Sequence, residues 1–288
     1  MTATATPGAI EAPRQPAGPG TSGHWTHHAG RALRSEWTKI RTVRSTAWSL
    51  LATGVLTVAL GAIVCAAQAS NWSHSNPIDR ITFDPTSTSQ VGLIFGQLAI
   101  GVLGVLVMTS EYSTGMIRAT FAAIPHRPRV LAAKAAVFGL LALVVGEIST
   151  FGAFFAGQAI LAGSAPHASL GQANVLRAVI GGGLYLTVLG LMALGIGALI
   201  RHSAGAISTF VAVVLILPLL AQALPSSLSH NIIRFLPDAI GQSMSSTIAT
   251  GRIERFHAFS PWVGFAILCG YAIVLLGLGA WSLTRRDA

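Results

Sequence analysis

Residues 111–134 read EYSTGMIRATFAAIPHRPRVLAAK, and how they are read decides how the rest of the chain is placed. Apolar sequence leads into the stretch from Val91 and resumes after Lys134. Between them lie four basic residues: Arg118, Arg127, Arg129 and Lys134. Ile117, Phe121 and Ile124 stand at i, i+4 and i+7, so they share one face of a helix. Pro125 and Pro128 are expected to end that helix, because proline lacks an amide hydrogen and restricts the residue before it. A short amphipathic helix between two apolar blocks has two uses open to it. It can lie flat on a membrane surface, or it can dock into a partner.

The flanking blocks fix the class. Of 288 residues, 52% are hydrophobic and only 9% charged, where a soluble domain carries about a quarter charged. The charges are absent from long blocks and gathered between them, as in a polytopic helical membrane protein. Six blocks fit, at about 47–70, 91–110, 135–162, 178–200, 204–224 and 262–283. Each can cross a hydrocarbon core, which takes about 20 residues. The third exceeds that need, so it tilts or runs past the bilayer. The expected fold is all-α: one membrane domain with six transmembrane helices over residues 29–288. Residues 1–28 are rich in Ala, Thr, Pro and Gly and read as a disordered cytoplasmic tail, with no apolar core of signal-peptide type. Its His24, His27 and His28 have nothing to fix a ligand geometry.

The net charge of +9 belongs to membrane orientation, because the basic residues flank apolar spans; nucleic acid is not expected as a partner. With the N-terminus in the cytoplasm, thirteen of the 18 Lys and Arg residues fall inside. Six spans then return the C-terminus, with Arg285 and Arg286, to the same side. A multi-pass membrane protein with both termini cytoplasmic is the expectation. Residues 29–46, AGRALRSEWTKIRTVRST, precede the first span. Leu33, Trp37 and Ile40 share one helical face and Arg41 lies among the basic groups of the other. This suits the headgroup layer, with Trp37 as the interfacial anchor. Cys65 and Cys269 fall inside apolar blocks and read as small hydrophobes.

Glu147 stands near the middle of the third span. A charge there costs on the order of 2.5–3.5 kcal/mol on insertion scales, so it should face protein or water. Thr150 and Gln158 share its face, giving a polar stripe. Two readings stand: a translocation path, or a protonated glutamate bonded between helices. The glycines of the fourth span, Gly181, Gly182, Gly183, Gly190, Gly195 and Gly197, are packing chemistry. Residues 225–261 hold Ile232, Ile233, Phe235, Leu236, Ile240 and Met244, and are expected to pack back on the spans as short helices. Catalysis has no candidate. A phosphate-binding loop needs a Gly-Lys pair followed by Ser or Thr. The only lysines are Lys39, followed by Ile40, and Lys134, followed by Ala135. No His and carboxylate set on a span has metal-ligand spacing. No catalytic, cofactor-binding or metal residue is therefore expected, and any use of ATP needs another molecule.

Three segments carry a resemblance: SEWTKIRTVRS (35–45), the 111–134 stretch, and GALIRHSAGAIS (197–208). In this order within a six-span plan the chain resembles, from about residue 30 to 288, the membrane subunits of bacterial ABC-2 type transporters. Glu111, Gly115, Arg118, Pro128, Arg129 and Lys134 look like that family's pattern. The resemblance implies an ABC-2 (type V exporter-like) transmembrane domain acting as an export permease for a hydrophobic or amphipathic substrate, a drug, lipid or peptide. The segment before the first span would be an elbow helix, with Leu33, Trp37, Ile40 and Arg41 at the interface. Residues 112–124 would be a cytoplasmic coupling helix, with Ile117, Arg118, Phe121, Ile124, Arg127 and Arg129 meeting the ATPase. Implied partners are two copies of an ATP-binding subunit, which would hold ATP and Mg, a second permease copy or paralogue, and the lipid bilayer. Competing classes are an ATP-independent transporter or channel with Glu147 as its ion site, and a membrane-anchored drug-immunity or sensor protein.

Overall fold

Proline and glycine set the element boundaries, and small residues set how closely the elements approach. The structure, a computed structural model, describes residues 37–38, 44–123, 126–247 and 259–285. Among these residues every regular element is helical. The first span is α1 (Arg44–Asn71). A tight turn at Trp72–His74 leads to two five-residue helices, α2 (Pro77–Ile81) and α3 (Pro85–Ser89). Then come α4 (Leu93–Ser113), the short α5 (Met116–Ala123), α6 (Arg127–Leu161), α7 (Val175–Ile200) and α8 (Ser203–Gln222). Two short helices, α9 (Ser226–Ile233) and α10 (Pro237–Ser245), precede the last, α11 (Pro261–Arg285). Helices α1, α4, α6, α7, α8 and α11 are long and apolar enough to cross a membrane, so the six expected spans are present.

One boundary differs from expectation, and one span is not a plain α-helix. Pro128 does not only stop the preceding helix. It sits in the first turn of α6, where a missing amide hydrogen costs nothing, and so starts the third span eight residues before the expected 135. At 35 residues α6 is about 50 Å long at ~1.5 Å per residue. That overshoots a hydrocarbon core of about 30 Å, so the helix has length to tilt or to run past it. The fifth span also departs from a plain α-helix. Residues Ala212–Ile216 form a π-helical turn, with the Leu217 amide donating to the Ala212 carbonyl five residues back. Pro218 follows directly, and its ring would press on the Val214 carbonyl in unbroken α geometry. The widened turn relieves that contact.

Helix α7 is the centre. It packs against α4, α6, α11 and α10. Within its most apolar stretch 78% of residues are buried, against 22% for α1 and α11, so the fourth span is the axle and the first and last face outward. Its glycines account for this. A Cβ on Gly104 of α4 would lie 2.4 Å from the Gly190 carbonyl oxygen, and one on Gly146 of α6 would lie 2.9 Å from that of Gly183. Backbones this close gain dispersion contacts, the main attraction between helices in lipid. Ile100, Phe138, Leu186, Leu189, Leu194 and Phe210 fill the core around this axis. Between residues 225 and 247 the expected short helices are found, with Ile233, Leu236, Ile240 and Met244 buried. Residues 1–28 and Leu33, Ile40 and Arg41 lie outside the described residues. Trp37 is helical and 43% exposed.

Candidate functional site

The 111–134 stretch closes on itself. Glu111 is in the last turn of α4, and Lys134 lies two turns into α6. The Lys134 Nζ donates to Glu111 Oε1 at 2.9 Å, with the two side chains 2% and 7% exposed. Opposite charges at such depth keep their charge only as a pair. Between them Gly115, at φ +70, makes the turn that sends α5 back across the bundle end, a backbone state in which glycine alone carries no Cβ penalty.

That turn decides which face of α5 is hidden. Ile117 is 3% exposed and belongs to the main core, and Phe121 packs against the same cluster. Arg127 lays its guanidinium 5.3 Å from the centre of the Phe121 ring, and its Nη1 donates to the Leu283 carbonyl at 2.9 Å. The apolar edge that the sequence offers to a partner is therefore turned into the protein's own bundle. The physical reason is local: a short helix tied at both ends to adjacent spans hides its stripe on the nearest apolar surface, the end of those spans. Met116, Arg118, Ala119, Ala122 and Arg129 are among the residues of this segment left exposed. Ile124 lies outside the described residues.

The same end holds the last helix. Arg201 caps α7 in the left-handed conformation, φ 61, its amide donating to the Gly197 carbonyl. Its Nη2 donates to the Ser282 carbonyl at 2.8 Å, and its guanidinium lies 5.4 Å from the Tyr112 ring centre. Ser203 and Thr109 join α8 to α4 through their hydroxyls, 2.9 Å apart. Two guanidiniums thus sit on the final carbonyls of α11, where the helix leaves acceptors unpaired and its dipole is negative.

The opposite end contains a cavity of about 630 Å³. Its walls come from the 75–91 connection, the start of α4, Tyr185 of α7 and the α10 residues Asp238, Gly241, Gln242 and Ser245. Asp79, Asp84 and Asp238 line it, with no Lys, Arg or His among the described lining residues. On its floor the Tyr185 hydroxyl donates to Gln97 Oε1, both residues 2% exposed. Asp84 shapes the rim. Its Oδ1 accepts from the Thr86 and Ser87 amides, capping α3, and its Oδ2 accepts from the Thr247 amide at 2.6 Å. Arg177 braces the same rim by donating to the Met244 and Ser246 carbonyls at 3.3 and 2.5 Å.

The polar stripe of the third span lies behind this cavity, and none of its members lines it. Gln158 joins two connections, its Nε2 donating to the Pro85 carbonyl at 3.0 Å and its Oε1 accepting from the Ala168 amide at 2.7 Å. Thr150 is fully buried, donates to the Glu147 carbonyl at 3.1 Å, and accepts from Gln90 Nε2 at 3.2 Å on its own carbonyl. Glu147 presses its carboxyl on Gly183: a Cβ there would lie 2.5 Å from Cδ. Its Oε2 is buried with no hydrogen-bond partner among the described residues. The stripe is thus one helix face, as its spacing requires, and it is packed against α7 and the 75–91 connection. Gln90 is the side chain linking it to the cavity.

Sequence reasoning did not single out Gln90, Gln97 or Tyr185. Two glutamines seven residues apart at the head of an apolar block were the available signal, since amides in a span need partners. The Glu111–Lys134 pairing was also unread, although opposite charges at the mouths of consecutive spans suggest it. No protein-family model matches the chain, and no curated protein matches it.

Proposed function

We propose that the chain is the membrane-spanning permease subunit of a transporter whose ATP is hydrolysed by a separate ATP-binding subunit, and that it exports a hydrophobic or amphipathic substrate. The observation that carries this reading is α5, a short helix laid across the basic end of a six-span bundle, its Ile117 buried in the core and its flanking spans joined by the Glu111–Lys134 ion pair. A helix so fixed cannot move without the ends of the second and third spans. A motor that pushes on it therefore pushes on the bundle. The absence of a Gly-Lys-Ser/Thr loop in the whole sequence is what requires the motor to be a different molecule. The basic end would be cytoplasmic, by the distribution of Lys and Arg. The contact face would be Arg118 with Ala119, Ala122 and Met116, while Ile117 and Phe121 hold the helix to its own spans.

The test is co-expression with the P-loop ATPase encoded nearest to its reading frame, with ATP hydrolysis read in proteoliposomes. Arg118→Glu and Ala122→Asp, both at exposed positions, should abolish the permease-dependent stimulation of hydrolysis while leaving membrane insertion intact. Full stimulation in both variants would remove the case for this helix.

A second reading, an ATP-independent transporter, is favoured by the unpartnered Oε2 of Glu147 at mid-span. Solute flux through the purified chain alone, without nucleotide and lost in Glu147→Gln, would select it over the first.

A further inference from the structure

A second cavity, of about 580 Å³, lies between α8, α9 and α11. Its volume falls within the range of about 300–1,000 Å³ typical of small-molecule sites. Val213, Leu217, Ile232, Phe235, Tyr271 and Val274 form its walls. Val213 lies inside the π-helical turn and Leu217 directly after it, so the turn that accommodates Pro218 also shapes this wall. The surrounding face is apolar: Leu219 is 68% exposed, Leu220 59% and Ile273 71%. On a six-span bundle such a face meets hydrocarbon, and a slot in it is filled by hydrocarbon chains.

Two charged groups adjoin lining residues of the slot: Asp238, after Pro237, which lines the first cavity and accepts from Gln242 Nε2, and Arg234. Arg234 precedes Phe235, and its guanidinium lies 5.0 Å from the Phe235 ring centre and 5.5 Å from that of Phe259. Among the described residues no carboxylate lies within ion-pair distance of it, and its Nε is buried without a hydrogen-bond acceptor. The two rings hold the cation in place through their π faces but do not neutralise it. The position is also right in depth. Phe259 and the half-exposed Trp262 mark the start of α11, and tryptophan collects at the level of lipid headgroups. An apolar slot with a guanidinium at its rim that no described carboxylate neutralises is complementary to one class of molecule, a chain-bearing anion whose phosphate an arginine fork can grip.

We infer that the groove between α8, α9 and α11 binds an anionic membrane phospholipid, its acyl chain against Val213, Leu217 and Val274 and its phosphate on Arg234. This holds whether or not the chain is a permease.

The experiment is lipid retention. The full chain, delipidated in detergent, is mixed with equal amounts of dioleoylphosphatidylglycerol and dioleoylphosphatidylcholine, passed through size exclusion, and its bound lipid measured by mass spectrometry. Wild type should retain the anionic lipid about fivefold over the zwitterionic one, the preference expected for one basic residue at a lipid surface. Arg234→Gln should bring the ratio to one. Val274→Trp, at a wall position already 58% exposed, should fill the slot and lose both lipids while eluting as wild type does. If that variant fails to elute so, Ile232→Trp on the opposite wall answers the same question. Equal retention of the two lipids by wild type, or undiminished retention in the filled variant, overturns the inference.

Discussion

The two ends of the bundle are joined by different chemistry. At the basic end charged groups do the joining: Lys134 to Glu111, Arg127 to the Leu283 carbonyl and Arg201 to the Ser282 carbonyl. Neutral amides and hydroxyls do most of that work at the cavity end, through Gln90, Gln97, Tyr185 and Gln158, with Asp84 and Arg177 spent on backbone groups of the rim. The first end is closed, with the 111–134 stretch folded onto its own spans. The second is open, around a cavity of about 630 Å³. Charge pairs resist separation because each partner left alone in a dry site is costly. Neutral hydrogen bonds exchange for others at small net cost. The difference teaches which end is the harder to pull apart and which can exchange its contacts at small cost.

Breaking the charged end should have the largest effect. Lys134→Met leaves the Glu111 carboxylate buried without its ammonium, and breaking a buried pair in this way costs about 3–5 kcal/mol. The midpoint of thermal unfolding in detergent should fall sharply. Adding Glu111→Leu should recover most of the loss, because no lone charge remains. A single variant as stable as wild type would mean that the pair does not hold this end together.

The cavity end should respond less. Gln97→Leu removes the acceptor of the Tyr185 hydroxyl, leaving it buried and unsatisfied, for about 1–3 kcal/mol. Tyr185→Phe in the same background should restore stability, since both polar atoms are then gone. The smallest effect is expected at the rim. Asp84→Ala removes the cap of α3 and should cost about 1 kcal/mol, near the middle of the range for such caps. Hydrogen exchange should quicken at the Thr86, Ser87 and Thr247 amides and nowhere in the spans. Exchange spreading into α7 would erase the distinction between a loose rim and a rigid axle.

Much of the fold was legible because a bilayer allows few solutions. Each span has to be helical and about 20 residues long, so six apolar blocks become six helices. The glycines of α7 announced close packing for the same reason. The π-helical turn could be located only as a site of strain at Pro218, since sequence does not say whether a helix kinks, breaks or widens there. The stripe of Glu147, Thr150 and Gln158 was legible as a face. What that face meets depends on Gln90, Pro85 and Ala168, which lie 10 to 73 residues away along the chain.

By itself the sequence determined the class: a six-helix membrane domain with basic residues weighted to one side and no nucleotide loop of its own. Periodicity and composition suffice for that, because both are local and the bilayer acts on them directly. Only the tertiary structure decided the direction of the Ile117–Phe121 edge, the pairing of Glu111 with Lys134, and the two cavities. Those follow from which helix ends come together, and a stripe on a helix says that something must cover it without saying what.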